Sequence, residues 1–190
     1  DDALQDRMER QRAVLGRCVD DLLDVARITR GKLELRKDPT TMQEVLQSAI
    51  ETAMPLIEQG SHELQVRLPE MEVPLHADSM RLSQVFANLL NNAAKYSDSA
   101  GWIELVTEVD ESAVIVHVRD RGIGLTEEQA HDVFEMFSQA DTAIARARGG
   151  LGIGLTLVRR LVEMHGAEVR VARQGPARGA PFNLTLPPRR

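Results

Sequence analysis

A chain of 190 residues is long enough for one domain of ordinary size plus an appended element. Hydrophobic residues at 43% support a packed core and exclude wholesale disorder, while an aromatic share of 3% leaves that core to Leu, Val, Ile, Ala and Met. A net charge of −6 argues against a general nucleic-acid binder, so an anionic ligand would need a locally basic site.

The single cysteine, Cys18, cannot form an internal disulfide, which fits a reducing, cytoplasmic compartment. No apolar run reaches the ~18–20 residues of a membrane span, so no direct membrane contact is expected. The first residue is Asp rather than Met and already reads as helix, which predicts a piece cut from a longer protein.

Residues 2–29 read as one long amphipathic helix. Leu4, Met8, Gln11, Leu15, Cys18, Leu22, Val25 and Thr29 alternate in steps of four and three, the heptad seam of a helix packing on other helices. Val14, Val19, Leu23 and Ala26 widen the stripe, as in a bundle. Gly31 is a helix stop. Leu33 and Leu35 alternate with charges, predicting a strand over 32–37, and Pro39 breaks the chain. Thr41 with Glu44 forms a capping-box pattern opening a helix over 42–59, with a kink or a late-starting final segment expected at Pro55. The period then shifts to two, with strands expected at 62–68 and 73–76. Asp78 or Ser79 caps a third helix to about Lys95. Residues 102–109 and 113–120 form a hairpin. Thr126 with Gln129 opens a helix to Phe137, and 138–150 read as an Arg-bearing, Gly-ended loop. A helix follows over 151–165, then strands near 167–173 and 181–186. The sum is α+β: a mixed sheet packed on about three helices, preceded by a long N-terminal helix.

Three segments carry the chemistry. In Asn88-Leu-Leu-Asn-Asn92-Ala-Ala-Lys95-Tyr96, the residues Asn88, Asn92 and Lys95 fall at i, i+4 and i+7 on one helix face. An amide oxygen can ligate Mg²⁺ while the metal keeps waters and phosphate oxygens, and a Lys ammonium is a point charge suited to phosphate. A solvated polar face is the bland alternative. In Asp120-Arg-Gly122-Ile-Gly124-Leu125, directly after a strand, two glycines admit a flat ligand close to the backbone, and a carboxylate can accept from an exocyclic amine. The alternative is a plain Gly-rich turn. Gly149-Gly150-Leu-Gly152-Ile-Gly154-Leu155-Thr156 opens a helix, where free N–H groups and the helix dipole favour phosphate. It has neither the Gly-Lys-Ser/Thr ending of a P-loop nor the strand context of a dinucleotide fingerprint.

In this order the three segments resemble the N, G1 and G2 boxes of sensor histidine kinases, and Val133-Phe134-Glu-Met-Phe137 resembles the F box. The family fold is a two-layer α/β sandwich of the Bergerat (GHKL) type, shared with gyrase, Hsp90 and MutL-type ATPases. The resemblance implies ATP and Mg²⁺ as cofactors. It assigns adenine to Asp120, flanked by Gly122, Gly124 and Tyr96. Mg²⁺ goes to Asn92, with Asn88 nearby. Phosphates go to Lys95, Arg146 or Arg148 and the cradle of Gly150, Gly152, Gly154, Leu155 and Thr156. Residues 138–149 would be the lid, and Phe134 and Phe137 either couple to it or pack a short helix. Val19-Asp-Asp-Leu-Leu-Asp-Val-Ala-Arg-Ile28 is similar to the second helix of the dimerisation and phosphotransfer hairpin. This divides the chain into 1–31, part of that hairpin, and 32–188, the catalytic domain.

The family's hydrolases carry a Glu one helical turn before the Mg²⁺-binding Asn, as a general base for water. Asn88 stands there and takes no proton, so the resemblance implies a kinase that spares its γ-phosphate for a histidine. That histidine belongs to the hairpin's first helix, so the fragment is not expected to autophosphorylate in cis. Ser61-His62-Glu63-Leu64 imitates an acceptor motif, but its strand alternation makes His62 a strand-start residue. The implied partners are ATP, a response-regulator receiver domain that takes the phosphate on an aspartate, and a second copy in a homodimeric parent. A non-catalytic nucleotide-sensing or dimerisation module and a GHKL-type ATPase are the rival readings.

Overall fold

The computed structural model describes residues 2–136, 152–172 and 179–187. In chain order the elements are α1 (Asp2–Thr29), β1 (Asp38–Thr41), α2 (Met42–Gln59), β2 (Glu63–Arg67), β3 (Pro74–Ala77), α3 (Ser79–Tyr96), β4 (Trp102–Val109), β5 (Val114–Asp120), α4 (Glu127–Asp132), α5 (Gly154–Met164), β6 (Glu168–Val171) and β7 (Phe182–Leu186).

Local sequence sets most helix starts. Thr41 and Glu44 satisfy each other's backbone N–H groups at 3.2 Å, closing the capping box of α2. Asp78 accepts from the Arg81 N–H at 3.1 Å to cap α3, and Thr126 with Gln129 closes a second capping box on α4. Helix α2 runs unbroken through Pro55. Pro55 and Glu51 are exposed, so water can serve the carbonyl that the proline leaves without a donor.

The main sheet has the order β2-β4-β5-β7-β6, with β2 and β4 parallel and the other pairs antiparallel. Alternation divides its faces. Ile103, Leu105, Val116, Val118 and Leu184 point into the core, against Leu46 and Ile57 of α2, Leu82, Phe86 and Leu90 of α3, and Leu157 and Leu161 of α5. The opposite face is polar, where Glu104 pairs with Arg67 and Arg119 and the His117 Nδ1 donates to the Asn183 amide oxygen at 2.7 Å. This is the two-layer sandwich the sequence leads one to expect.

Three elements differ from expectation. The segment 32–37 is extended but pairs with no strand: Leu33 is buried and Leu35 half-buried, and the Arg36 N–H donates to the Asp78 carboxylate at 2.9 Å. The strand begins instead at Asp38 and includes Pro39, tolerated because β1 pairs only with β3 in a two-stranded ribbon. Helix α4 stops at Asp132, where the chain turns to bury Phe134. Helix α5 begins at Gly154 rather than at 151.

On α1 the seam is only partly covered. Val25 is buried and Ile28 half-buried, whereas Leu4, Met8, Leu15 and Val19 are exposed. The better-covered side carries Val14, Cys18, Asp21 and Val25, which overlaps the predicted stripe at Val14, Cys18 and Val25. No helix of the described residues is long and apolar enough to cross a membrane.

Candidate nucleotide-binding site

The sheet, α3 and the start of α5 enclose an open cleft. Its floor is set by β5, which ends at Asp120, 6% exposed. Alternation along β5 aims Asp120 to the same side as Val116 and Val118, so a carboxylate lies where the pattern demands an apolar residue. Backbone N–H groups of Ala180 and Gly122 and the Ser97 hydroxyl bond to it, yet burial outweighs them and pushes its pKa up to about 6. Two glycines hold the backbone tight around it. A Cβ at Gly122 would overlap the Asp120 carboxylate and the Tyr96 carbonyl. A Cβ at Gly179 (φ +73°) would overlap the Asp120 carbonyl. Beside Asp120 the lining is apolar, from Ile123, Leu125, Val133, Ile153, Leu155 and Phe182. This suits a flat ring whose amine would be read by the carboxylate.

One wall is α3, whose helical period brings Asn88, Asn91, Asn92, Lys95 and Tyr96 to the cleft. The Asn88 Nδ2 and Asn91 Oδ1 atoms are buried without a hydrogen-bond partner among the described residues, polar capacity that a ligand can use. Burial lowers the pKa of Lys95, the mark of a partly desolvated ammonium. The opposite wall is the start of α5, with Gly152, Ile153, Gly154 and Leu155. No side chain among the described residues caps this helix, so its first N–H groups are left for a ligand, and Gly154 lies against the Asn88 side chain.

The cleft thus gathers Asn88, Asn92, Lys95, Tyr96, Asp120, Gly124, Gly152, Gly154 and Leu155 from three separate segments. Gly122 stands behind the floor rather than on it. Thr156 is not on the wall: it is buried, and its hydroxyl donates to the Phe134 carbonyl at 2.9 Å, tying α5 to the F-box segment. Phe134 packs edge-on against Phe182 at 6.1 Å, beneath the Arg159 guanidinium. Phe137, Arg146, Arg148 and Gly150 lie outside the described residues. His62 precedes β2 and its Nε2 donates to the Ala94 carbonyl at 2.9 Å, as a strand-start residue.

Sequence reasoning missed Asn91, Ser97, Gly179 and Ala180. Asn91 sits in the N-box pattern itself and was passed over for its neighbours. Gly179 closes a loop distant in sequence, and only the β5–β7 pairing brings it onto Asp120. Also missed were Val14, Arg17, Cys18 and Asp21 of α1, which line the cleft from outside the sandwich.

Residues 77–190 match the sequence profile of the histidine kinase-, DNA gyrase B- and HSP90-like ATPase family. Over 177 residues the chain is 34% identical to the autoinducer 2 sensor kinase/phosphatase LuxQ of Vibrio vulnificus, covering 89% of this chain and 20% of that protein. The chain spans about a fifth of the length of the curated relatives it matches. Among solved structures, full-length ShkA in complex with AMPPNP superposes with a TM-score of 0.75 at 29% identity, over 91% of this chain and 35% of that one. The Acinetobacter baumannii histidine kinase AdeS superposes with a TM-score of 0.79 at 22% identity, over 100% of this chain and 86% of that one, a likeness of fold.

Proposed function

This chain belongs to the histidine kinase-, DNA gyrase B- and HSP90-like ATPase family, and from that premise we propose that it is the ATP-binding kinase core of a two-component sensor histidine kinase, which passes the ATP γ-phosphate to a histidine for relay to a response-regulator aspartate. The observation that carries the reading is the convergence of a buried carboxylate, an amide-and-ammonium helix face and an uncapped helix N-terminus on one cleft. Its relatives by sequence include sensor kinases, and ShkA has its structure with AMPPNP.

Asp120 accepts from the adenine amine while the apolar floor excludes water from the ring. Lys95 neutralises phosphate charge, and the N–H groups at Gly154 and Leu155 hold phosphate oxygens. The neutral amide oxygens of Asn92 and Asn88 fit Mg²⁺, which takes a few protein oxygens and keeps waters and phosphate oxygens for the rest. Asn88 lies against Gly154, at the phosphate end of the cleft. When bound, the metal supplies charge neutralisation across the phosphates. Asn88 accepts no proton, so nothing at that position activates water, and the γ-phosphate is held for an incoming imidazole. Transfer then depends on positioning rather than on covalent chemistry by the protein. Residues 1–31 are read as the second helix of the phosphotransfer hairpin and 32–188 as the catalytic domain. The parent is read as a homodimer, with this part of it in the cytoplasm whether or not the parent is anchored in a membrane.

The test is phosphate transfer from labelled ATP to a separately supplied acceptor hairpin. Labelling of the hairpin histidine that Asn92→Ala abolishes supports the reading. Steady phosphate release without labelling, itself removed by Asn92→Ala, would replace it with an ATPase.

A further inference from the structure

Helix α1 is anchored on the sandwich rather than lying loosely against it. The Arg81 Nη1 donates to the Asp24 carboxylate at 2.7 Å, with side chains 18% and 10% exposed. The Gln84 amide donates to Asp21 at 3.4 Å and reaches Asp24 at 3.5 Å, and Val25 is buried below them. One turn before this anchor, Cys18 and Asp21 form part of the cleft wall that also holds Lys95 and Asn92. After burial, the groups that act on Lys95 are all on α1: Cys18, Arg17 and Asp21, in that order.

We propose that Asp21 is an affinity-determining residue of the nucleotide site: seated by the Asp24–Arg81 anchor, its carboxylate occupies the anion-reading end of the cleft near Lys95 and disfavours the phosphates of a bound nucleotide. This rests on the reading of the cleft as an ATP site. A carboxylate and a phosphate that share one half-buried ammonium repel each other across a medium less polar than water, so each excludes the other in part. Arg17, also on the wall, acts the opposite way, but it is exposed and screened, whereas Asp21 is half-buried.

Several charged groups surround Asp21. On α1 these are Asp20, Asp24 and Arg17; on α3 they are Lys95 and Arg81, the latter paired with Asp24. The α5 residues on the cleft, Gly152 to Leu155, carry no charge. Burial is the largest cause pushing the Asp21 pKa up to about 6, so Asp21 is a carboxylate at pH 8 and largely a carboxylic acid at pH 5.

The experiment is calorimetric titration of the full 190-residue chain with a non-hydrolysable ATP analogue, ADP and adenosine. The variants are Asp21→Asn, Asp21→Ser and, as a control of equal charge change, Asp20→Asn. The expected result at pH 8 is that both Asp21 variants tighten the triphosphate about 5–10-fold and ADP by less, leaving adenosine within about twofold. Asp20→Asn stays within about twofold for all three ligands. At pH 5 the ratio of wild-type to Asp21→Asn affinity shrinks towards one, and taking the ratio cancels the titration of Asp120. Unchanged or weakened triphosphate binding overturns the proposal, as does an equal gain for adenosine or an equal gain in Asp20→Asn. Any of these results, with adenosine binding still abolished by Asp120→Ala, leaves the nucleotide reading standing. Absence of adenosine and triphosphate binding in wild type and variants alike ends both.

Discussion

Asp120 is buried at a cost that the fold alone does not repay. Its pKa lies near 6, above the ordinary 3.8, because burial disfavours the charged form. A carboxyl whose folded pKa is raised contributes stability below its unfolded pKa and loses it as pH rises through the folded value, here between about pH 4 and 6. Asp120→Asn should therefore stabilise the ligand-free protein at pH 8 by on the order of 2 kcal/mol, seen as a higher urea midpoint, while abolishing nucleotide binding. A neutral or destabilising effect at pH 8 would mean that the carboxylate is satisfied by its surroundings. Gly179→Ala forces a Cβ into the Asp120 carbonyl at a positive φ, and should cost about 1–3 kcal/mol and weaken nucleotide binding with it. The cleft-lining residues were legible because motifs concentrate them: the Asn face, the Asp-Gly turn and the Gly-rich helix start are each contiguous. Gly179 was not, since its role exists only through strand pairing across about sixty residues, a distance no local pattern spans.

The elements are joined by polar links that also lie beyond local pattern. His165 ends α5 with its Nδ1 donating to the Leu161 carbonyl at 2.8 Å, while its Nε2 accepts from the Asp78 N–H at 3.2 Å at the start of α3. The bond accepted at Nε2 needs the neutral ring, and burial lowers its pKa. Its stabilising contribution is present above the unfolded pKa of about 6.5 and is lost as pH falls below it. Carboxyls with raised pKa, Asp120 and Asp21, titrate in the opposite sense over the same window, so the test is a difference: the stability that wild type has over His165→Gln in urea denaturation should shrink as pH falls from 7 to 5, and a difference that stays constant would contradict the role. Thr156→Val should cost about 1 kcal/mol through the lost bond to the Phe134 carbonyl, with nucleotide affinity changed by less than about twofold. A large loss of affinity at normal stability would instead place Thr156 in the site. Capping boxes and period-two runs revealed α2, α3, α4 and the β4–β5 hairpin, because those signals are local. The segment 32–37 misled because its alternation is met by side-chain anchoring on Asp78 rather than by a strand partner. On α1, periodicity gives an apolar stripe but not which edge of it the sandwich covers.

At the scale of the whole molecule, a mixed five-stranded sheet backed by three helices places the end of β5, the C-terminal half of α3 and the start of α5 around one opening. The fold class was legible because strands and helices do not alternate strictly, which excludes a doubly wound sheet. The seating of α1 over the cleft was not, since it depends on the Asp24–Arg81 and Asp21–Gln84 contacts across about sixty residues. This arrangement joins the helix that the sequence likens to a phosphotransfer element directly to the nucleotide cleft. The measurement that tests the central claim most directly is titration of the chain with a non-hydrolysable ATP analogue, with and without Mg²⁺, alongside Asp120→Ala and Asn92→Ala. Saturable binding that Asp120→Ala abolishes, and whose Mg²⁺ dependence Asn92→Ala removes, is the predicted result; a folded protein that binds no nucleotide, or binds it equally well in both variants, would contradict the assignment of this cleft.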